Sequence, residues 1–483
     1  MEMKYDDEAW EQSDRIFELF KRKASSGVVL EGVTEFMASR RPSVRPIDRA
    51  RIFGVGAFNF CYRMQFEDGF SSILRFASPG RSMFPAEKTR AEVAVMRFIK
   101  QNTTIPVPDI LDYGMHGPCD MGPYILMECV DCASNLTAVL RAPGYKRGDR
   151  PYLDRNIEEK KLELLYGQVA DILLELSRHD FGKIGCLTLE AQPNGWPVVK
   201  RPLSMNMNEL VQLGNYPRHR LPSSPFTSAS SYLQSLAETH FIHLSTQRND
   251  AVESREDCRR KYIARRLLCR LASNSALSQE DTFDTGRFKL FCDDLRPTNI
   301  LIDDSLRIVA VIDWEFTYAA PAEFTYSPPW WLLLETPEDW NWGVSDWAAT
   351  YESRLKTFLK AMKTREDSAI REGMISEHQR LSIRMQDSWD NGSFWVNYGL
   401  RKSWAFDMVW PYIDRKFFGG NGTDERRIDL LDSGQRLRLL TDGDFRGMDE
   451  FVQRKLEDGK TRALDPHVEE ETEDSLSNHT YKN

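Results

Sequence analysis

Nowhere does this chain approach the ~20 consecutive apolar residues that a bilayer-crossing helix requires; its most apolar run, SPPWWLLLE, is bounded by proline and charge. No membrane partner is expected. The opening MEMKYDDEAWEQSDRIF is acidic and lacks the basic start and apolar centre of a secretory signal, so a cytoplasmic protein is expected. Cysteine is sparse, with eight in 483 residues, scattered at Cys61, Cys119, Cys129, Cys132, Cys186, Cys258, Cys269 and Cys292. That density does not make a disulfide scaffold and fits a reducing compartment. Cys129 and Cys132 form a CxxC, yet no second CxxC or histidine pair supplies further zinc ligands, and buried structural thiols are expected. Excess positive charge is also missing: the formal net charge is -9, which argues against affinity built on nucleic-acid phosphates. No internal repeat at a fixed period is present.

What the chain does have is core-forming material, 41% hydrophobic and 11% aromatic, enough for two or three folding units. Helical spacing of Trp10, Ile16, Phe17 and Phe20 predicts a helix over 7–23, ending before SSG. Three β-type runs follow, RIFGVG, FNFCYRMQF and SSILRFA, the last two joined by the turn EDG. The span 85–100 reads as a helix with Glu92, Val95, Met96 and Ile99 on one face, and ILDYGM and PYILMECV as two more strands. The remainder reads as mostly helical, with helices expected at 156–177, two within 232–271, and at 346–363, 390–417 and 448–456. One β-type interlude, KLFCDDLRPTNILIDDSLRIVAVIDWEF, interrupts it, with DDS as the turn between two apolar runs.

The chemistry is concentrated in that interlude. Asp294 precedes Asn299 by five positions on a loop that enters a strand, and the returning run RIVAVI delivers Asp313. Singly, each is an ordinary turn or cap residue. In this order on a strand-turn-strand frame, they offer what phosphoryl transfer needs: a carboxylate to orient an attacking hydroxyl (Asp294) and hard oxygen ligands for Mg²⁺ (Asn299 and Asp313).

DDLRPTNILID followed by VIDWEF resembles the catalytic and metal-binding segments of the aminoglycoside phosphotransferase family, relatives of protein kinases; the D-F-G and A-P-E of protein kinases themselves are absent. The segments RPLSMNMNELVQLGNYP, FTSASSYLQSLAETHFIHLSTQRNDA and DCRRKYIARRL resemble the helical acceptor lobe of the family's fungal branch, so the resemblance spans most of residues 50–460. It implies an α+β, protein-kinase-like two-lobed fold: a helical extension over 1–45, a small antiparallel β lobe with one helix over 46–130, a mainly helical lobe over 131–463 and a disordered polar tail over 464–483. It implies ATP and Mg²⁺ as cofactors, with Gly54, Gly56 and Asn59 covering the phosphates, Arg75 standing where the family carries lysine or arginine, Glu92 as its ion-pair partner, and the backbone of Glu128 to Val130 meeting the adenine. It implies a small-molecule kinase whose acceptor is a hydroxyl compound. Glu323, Tyr326, Trp330, Trp331 and Glu335 suit a cationic or ring-bearing acceptor or, equally, packing.

One departure stands out. The family carries histidine two positions before the catalytic aspartate, in an HGD pattern, and this chain has Cys292, with Asp293 in the glycine position and expected to face solvent. The alternative reading is therefore a binding or regulatory protein that keeps the kinase fold without transferring phosphate. His240 and His243, three apart on a helix, have no carboxylate or cysteine nearby in sequence and are expected to pack.

Overall fold

The computed structural model describes residues 3–146, 148–189, 196–273, 285–419 and 433–464, so beyond Leu464 the expected tail lies outside the described residues. The chain begins with α1 (Asp7–Ala24) and α2 (Gly27–Ser39), each opened by a side-chain cap, Asp6 to the Ala9 N–H and Ser26 to the Val29 N–H. The second of these helices was not anticipated: its glycines at 27 and 32 and its β-branched residues blur the helical pattern, while Ser26 in the SSG read as a terminator is its cap.

Next comes a five-stranded antiparallel sheet of order β1-β2-β3-β5-β4, formed by β1 (Arg51–Val55), β2 (Asn59–Gln65), β3 (Ser71–Ala77), β4 (Ile110–Gly114) and β5 (Tyr124–Glu128), with α3 (Pro85–Asn102) between β3 and β4. Strand alternation sorts the side chains. Phe60, Tyr62, Met64, Leu74 and Phe76 bury one face against Phe20, Val33 and Met37 of α1 and α2. Ile73, Ile125 and Met127 meet Val93 of α3 on the other. Asn59, Cys61 and Arg75 belong by the same alternation to the α3 side.

The larger lobe contains β6 (Ser134–Asn135), α4 (Leu136–Leu140), α5 (Glu159–Ser177), β7 (Cys186–Leu187), β8 (Val198–Lys200), α6 (Met205–Leu213), α7 (Ala229–Thr246), α8 (Arg255–Ser273), β9 (Lys289–Cys292), β10 (Ile300–Ile302), β11 (Ile308–Val311), β12 (Thr317–Ala320), α9 (Ala322–Thr325), α10 (Val344–Arg371), α11 (Leu381–Asn391), α12 (Ser393–Arg401), α13 (Phe406–Phe418), α14 (Ser433–Leu437) and α15 (Asp442–Asp458). The single helix expected over 390–417 is thus broken between α12 and α13, where the Asn206 Oδ1 takes the Ser403 N–H at 2.9 Å. Helix α3 joins the lobes, since its Ala91, Ala94, Val95, Met96, Phe98 and Ile99 are part of the same apolar core as α5, α7, α10 and α12. No helix among the described residues is long and apolar enough to cross a membrane.

Candidate active site

Two ladders bring the chemistry together. Strand β9 pairs with β12, Cys292 opposite Thr317, and β10 pairs with β11, Ile300 opposite Val311. The loop 293–299 and the segment 312–316 therefore run side by side, joined by a hydrogen bond from the Ile312 N–H to the Asn299 carbonyl at 2.9 Å. Asn299 donates its Nδ2 to the Asp294 carbonyl at 2.9 Å and to Oδ2 of the Asp294 side chain at 3.0 Å, while the Arg296 guanidinium lies 2.9 Å from Oδ1. Burial pushes the Asp294 carboxyl up to about 6, with the Glu315 and Asp313 charges adding and the Arg296 charge opposing. Within the second segment Asp313 and Phe316 hold left-handed φ values of 58° and 56°. Aspartate tolerates that region; a phenylalanine there stays only because the surrounding packing over-determines it.

From the small lobe, Arg75 reaches both Glu92 and Asp313 with separate nitrogens, and all but Asp313 are deeply buried. The Cys61 thiol beside them is pushed up to about 12 by burial, which makes it inert. Gly54 lies at a bulge in the β1–β2 pairing and the Gly56 N–H closes the turn onto the Asn59 carbonyl at 2.8 Å. A Cβ at Gly54 would meet nothing within 4 Å, so the fold itself does not require glycine there. Asn59 turns inward: its Nδ2 donates to Glu315 at 2.8 Å and its Oδ1 accepts from the Lys88 ammonium at 2.7 Å. Glu128 ends β5, with its N–H on the Asp109 carbonyl at 2.8 Å, and Val130 follows half-buried just past the strand.

Asp293 faces inward rather than into solvent. Its Oδ2 accepts the Met205 N–H, the first of α6, at 3.1 Å, and its Oδ1 lies 3.5 Å from Arg401, so the end of β9 delivers this carboxylate to a helix N-terminus. Cys292 is buried with its Sγ 3.9 Å from the Glu315 carbonyl. Trp330 and Trp331 line an apolar cavity of about 70 Å³ beneath the loop together with Cys292 and Leu295, Tyr326 stacks under Arg384, and Glu335 lies 3.8 Å from Arg150. Cys129 is half-buried but Cys132 is exposed, and no group of three histidine, cysteine or acidic side chains among the described residues could hold a metal alone.

Sequence reasoning missed Lys88, Glu315, Arg296 and Glu209. Glu209, on α6, is raised by burial and lies in the field of Lys402, Asp293, Glu338 and Asp294, which puts α6 and the end of α12 beside the loop 293–299. Arg296 stands inside the motif already singled out and was within reach. Lys88 and Glu315 carry no local signal, being 227 positions apart.

A small antiparallel lobe seated on a helical lobe, with carboxylates and an asparagine on adjoining loops at their seam, is the arrangement of a kinase-like phosphotransferase. The profile of the phosphotransferase enzyme family matches residues 50–352. The chain belongs to that family, and so to the small-molecule kinases. It is 22% identical over 321 residues, 63% of this chain and 71% of the other, to clavilactone A biosynthesis cluster protein Y of Ampulloclitocybe clavipes. Among solved structures it is similar to an aminoglycoside phosphotransferase in complex with ADP and hygromycin B (14% identity, 81% of this chain and 100% of that chain, TM-score 0.39). It is also similar to a macrolide 2′-phosphotransferase from Brachybacterium faecium (12% identity, 78% and 97% covered, TM-score 0.37).

Proposed function

We propose that this protein transfers the γ-phosphoryl group of ATP to a hydroxyl of a small molecule, in the cleft between its lobes. The observation that carries the reading is the convergence of Asp294, Asn299, Asp313 and Arg75 from three separate stretches of chain, with the Asp294 carboxyl held at about 6. Asp294 orients the acceptor hydroxyl and takes its proton, a task suited to a base poised near neutrality. Arg296 and Asn299 hold that carboxylate from two sides. Arg75, kept in place by Glu92, presents a permanent positive charge to phosphate oxygens. The turn from Gly54 to Asn59 covers them, and the backbone from Glu128 to Val130 receives the adenine.

The donor set fits Mg²⁺. Asn299 spends its Nδ2 on Asp294, which leaves its carbonyl oxygen to ligate, and Asp313 gives one oxygen to Arg75 and keeps the other. Two hard oxygens are what Mg²⁺ takes from protein when phosphates and waters complete its shell. When bound, the ion neutralises phosphate charge during transfer.

Titration calorimetry of ATP with and without Mg²⁺, on the wild type and on Asp313→Ala, tests this. Mg²⁺-dependent binding that disappears in the variant is expected. Absence of ATP binding in the wild type would overturn the reading in favour of a protein that keeps the fold without transferring phosphate, the alternative that Cys292 raises.

A further inference from the structure

Lys88 and Glu315 are 2% and 3% exposed, and together with Asn59 they close a triangle. The Lys88 ammonium is paired with Glu315 Oε2 and donates to Asn59 Oδ1 at 2.7 Å, while the Asn59 amide donates to the same Glu315 oxygen at 2.8 Å. The three residues come from the start of β2, the first turn of α3 and the segment just after Asp313. Lys88 is one turn before Glu92, so α3 presents both on one face. Glu315 follows Asp313 by two residues. Two buried ionic contacts therefore run in parallel across the seam, Lys88 to Glu315 and Arg75 to Glu92 and Asp313.

Such a pair is not what a fold needs for stability. Removing two charges from water costs about as much as their attraction returns, and an apolar pair of like volume is often as stable. What an enclosed ion pair supplies is a fixed register between the elements that carry it. Here those elements are the phosphate-covering turn, α3 and the segment bearing Asp313. Two cations here face the three carboxylates Glu92, Asp313 and Glu315, of which Asp313 has the most exposed side chain.

We propose that Lys88 is a positioning residue of the phosphoryl-transfer site, its triangle with Glu315 and Asn59 fixing α3 and the β1–β2 turn against the segment that carries Asp313. The proposal rests on the phosphotransferase reading above. Without the triangle, Arg75 and Asp313 lose their common frame, and a displacement of about 1 Å in such a site is worth on the order of 10²-fold in rate.

The test uses the full chain with MgATP as probe, read by calorimetry and by ADP release with water as acceptor, alongside thermal melting. Lys88→Met should lower both the melting temperature and nucleotide turnover. Lys88→Met/Glu315→Met, which leaves no buried charge unpaired, should recover the melting temperature while turnover stays on the order of 10²-fold down. Glu315→Gln, isosteric and able to keep its contact with Asn59, should fold and bind MgATP on the order of tenfold more weakly. Recovery of turnover along with stability in the double variant, or wild-type binding in Glu315→Gln, would overturn the proposal and leave the phosphotransferase reading standing. A wild type that binds no MgATP would overturn both.

Discussion

Two regions of this protein bury ionisable side chains, and they treat them in opposite ways. At the seam between the lobes, Arg75 is set against Glu92 and Lys88 against Glu315, so that each ionisable group meets one of opposite sign. Burial pushes against ionisation of Glu315, yet Lys88 and Arg75 hold its carboxyl below the ordinary value. In the helical lobe, His240 and His243 on α7 are equally enclosed, but their ring nitrogens find only neutral partners, the Leu400 carbonyl at 3.2 Å and the Gln247 amide oxygen at 2.8 Å. Burial, with the Arg265 charge adding, lowers them to about 4 and about 3, so they are neutral at pH 7. Enclosure alone therefore does not mark chemistry. What sets the seam apart from this histidine pair is the meeting of opposite charges from both lobes, Arg75 and Lys88 from the small one with Asp313 and Glu315 from the large one.

The contrast is tested most severely at Asp294. Asp294→Ala should reduce phosphoryl transfer by roughly 10²- to 10⁴-fold, the usual range for a positioned proton acceptor. In the wild type, the rate should fall as the pH drops through about 6, because the protonated carboxyl cannot accept the hydroxyl proton. A flat profile from pH 7 to 5 would remove Asp294 from the reaction. Next in size is Arg75→Met, which strands Glu92 at 1% exposure. Breaking a buried pair from one side costs about 3–5 kcal/mol, readable by urea unfolding. A loss below 1 kcal/mol would mean that water or Lys88 takes over the carboxylate.

On the histidine side the sign is set by linkage. Unfolded His240 binds a proton near its ordinary 6.5, whereas the folded ring does so only at about 4. The unfolded state thus holds more protons between those values, and stability is lost as the pH falls through that window, by roughly 3 kcal/mol for this residue. Unfolding curves from pH 7 to 4 should show this slope, reduced in His240→Gln. An unchanged slope would mean that the ring is protonated in the fold.

The same contrast explains what could be read from the sequence. The five strands of the small sheet, α3 and the turn at DDS were legible because their periodicity is local. Asp294, Asn299 and Asp313 stood out because a strand-turn-strand frame separates them by a few residues. Glu92 was visible as a charge on the apolar face of α3, but Lys88 in the first turn looks like any solvated helix lysine, and nothing near it announces Glu315. Asp293 was misread because a carboxylate beside another carboxylate suggests solvent, whereas its partners, the α6 N-terminus and Arg401, lie 88 and 108 positions away in the chain. The break between α12 and α13 was hidden by apolar residues that continue through it.

The smallest effect is expected where the chain departs most visibly from its family, at Cys292. The cavity of about 70 Å³ that Cys292 helps to line offers space for a larger side chain at this position. Cys292→His should therefore avoid the worst of the overpacking cost and change stability by less than about 1.5 kcal/mol. Its ring N–H has an acceptor at hand in the Glu315 carbonyl, now 3.9 Å from the thiol sulfur. Turnover should change little, because Asp294 is oriented by Asn299 and Arg296 rather than through position 292. Steady-state ADP release by the two proteins decides the matter. A large gain in the variant would show that the thiol had left the loop misaligned, and the seam would then be a site whose charges are assembled but whose base is not.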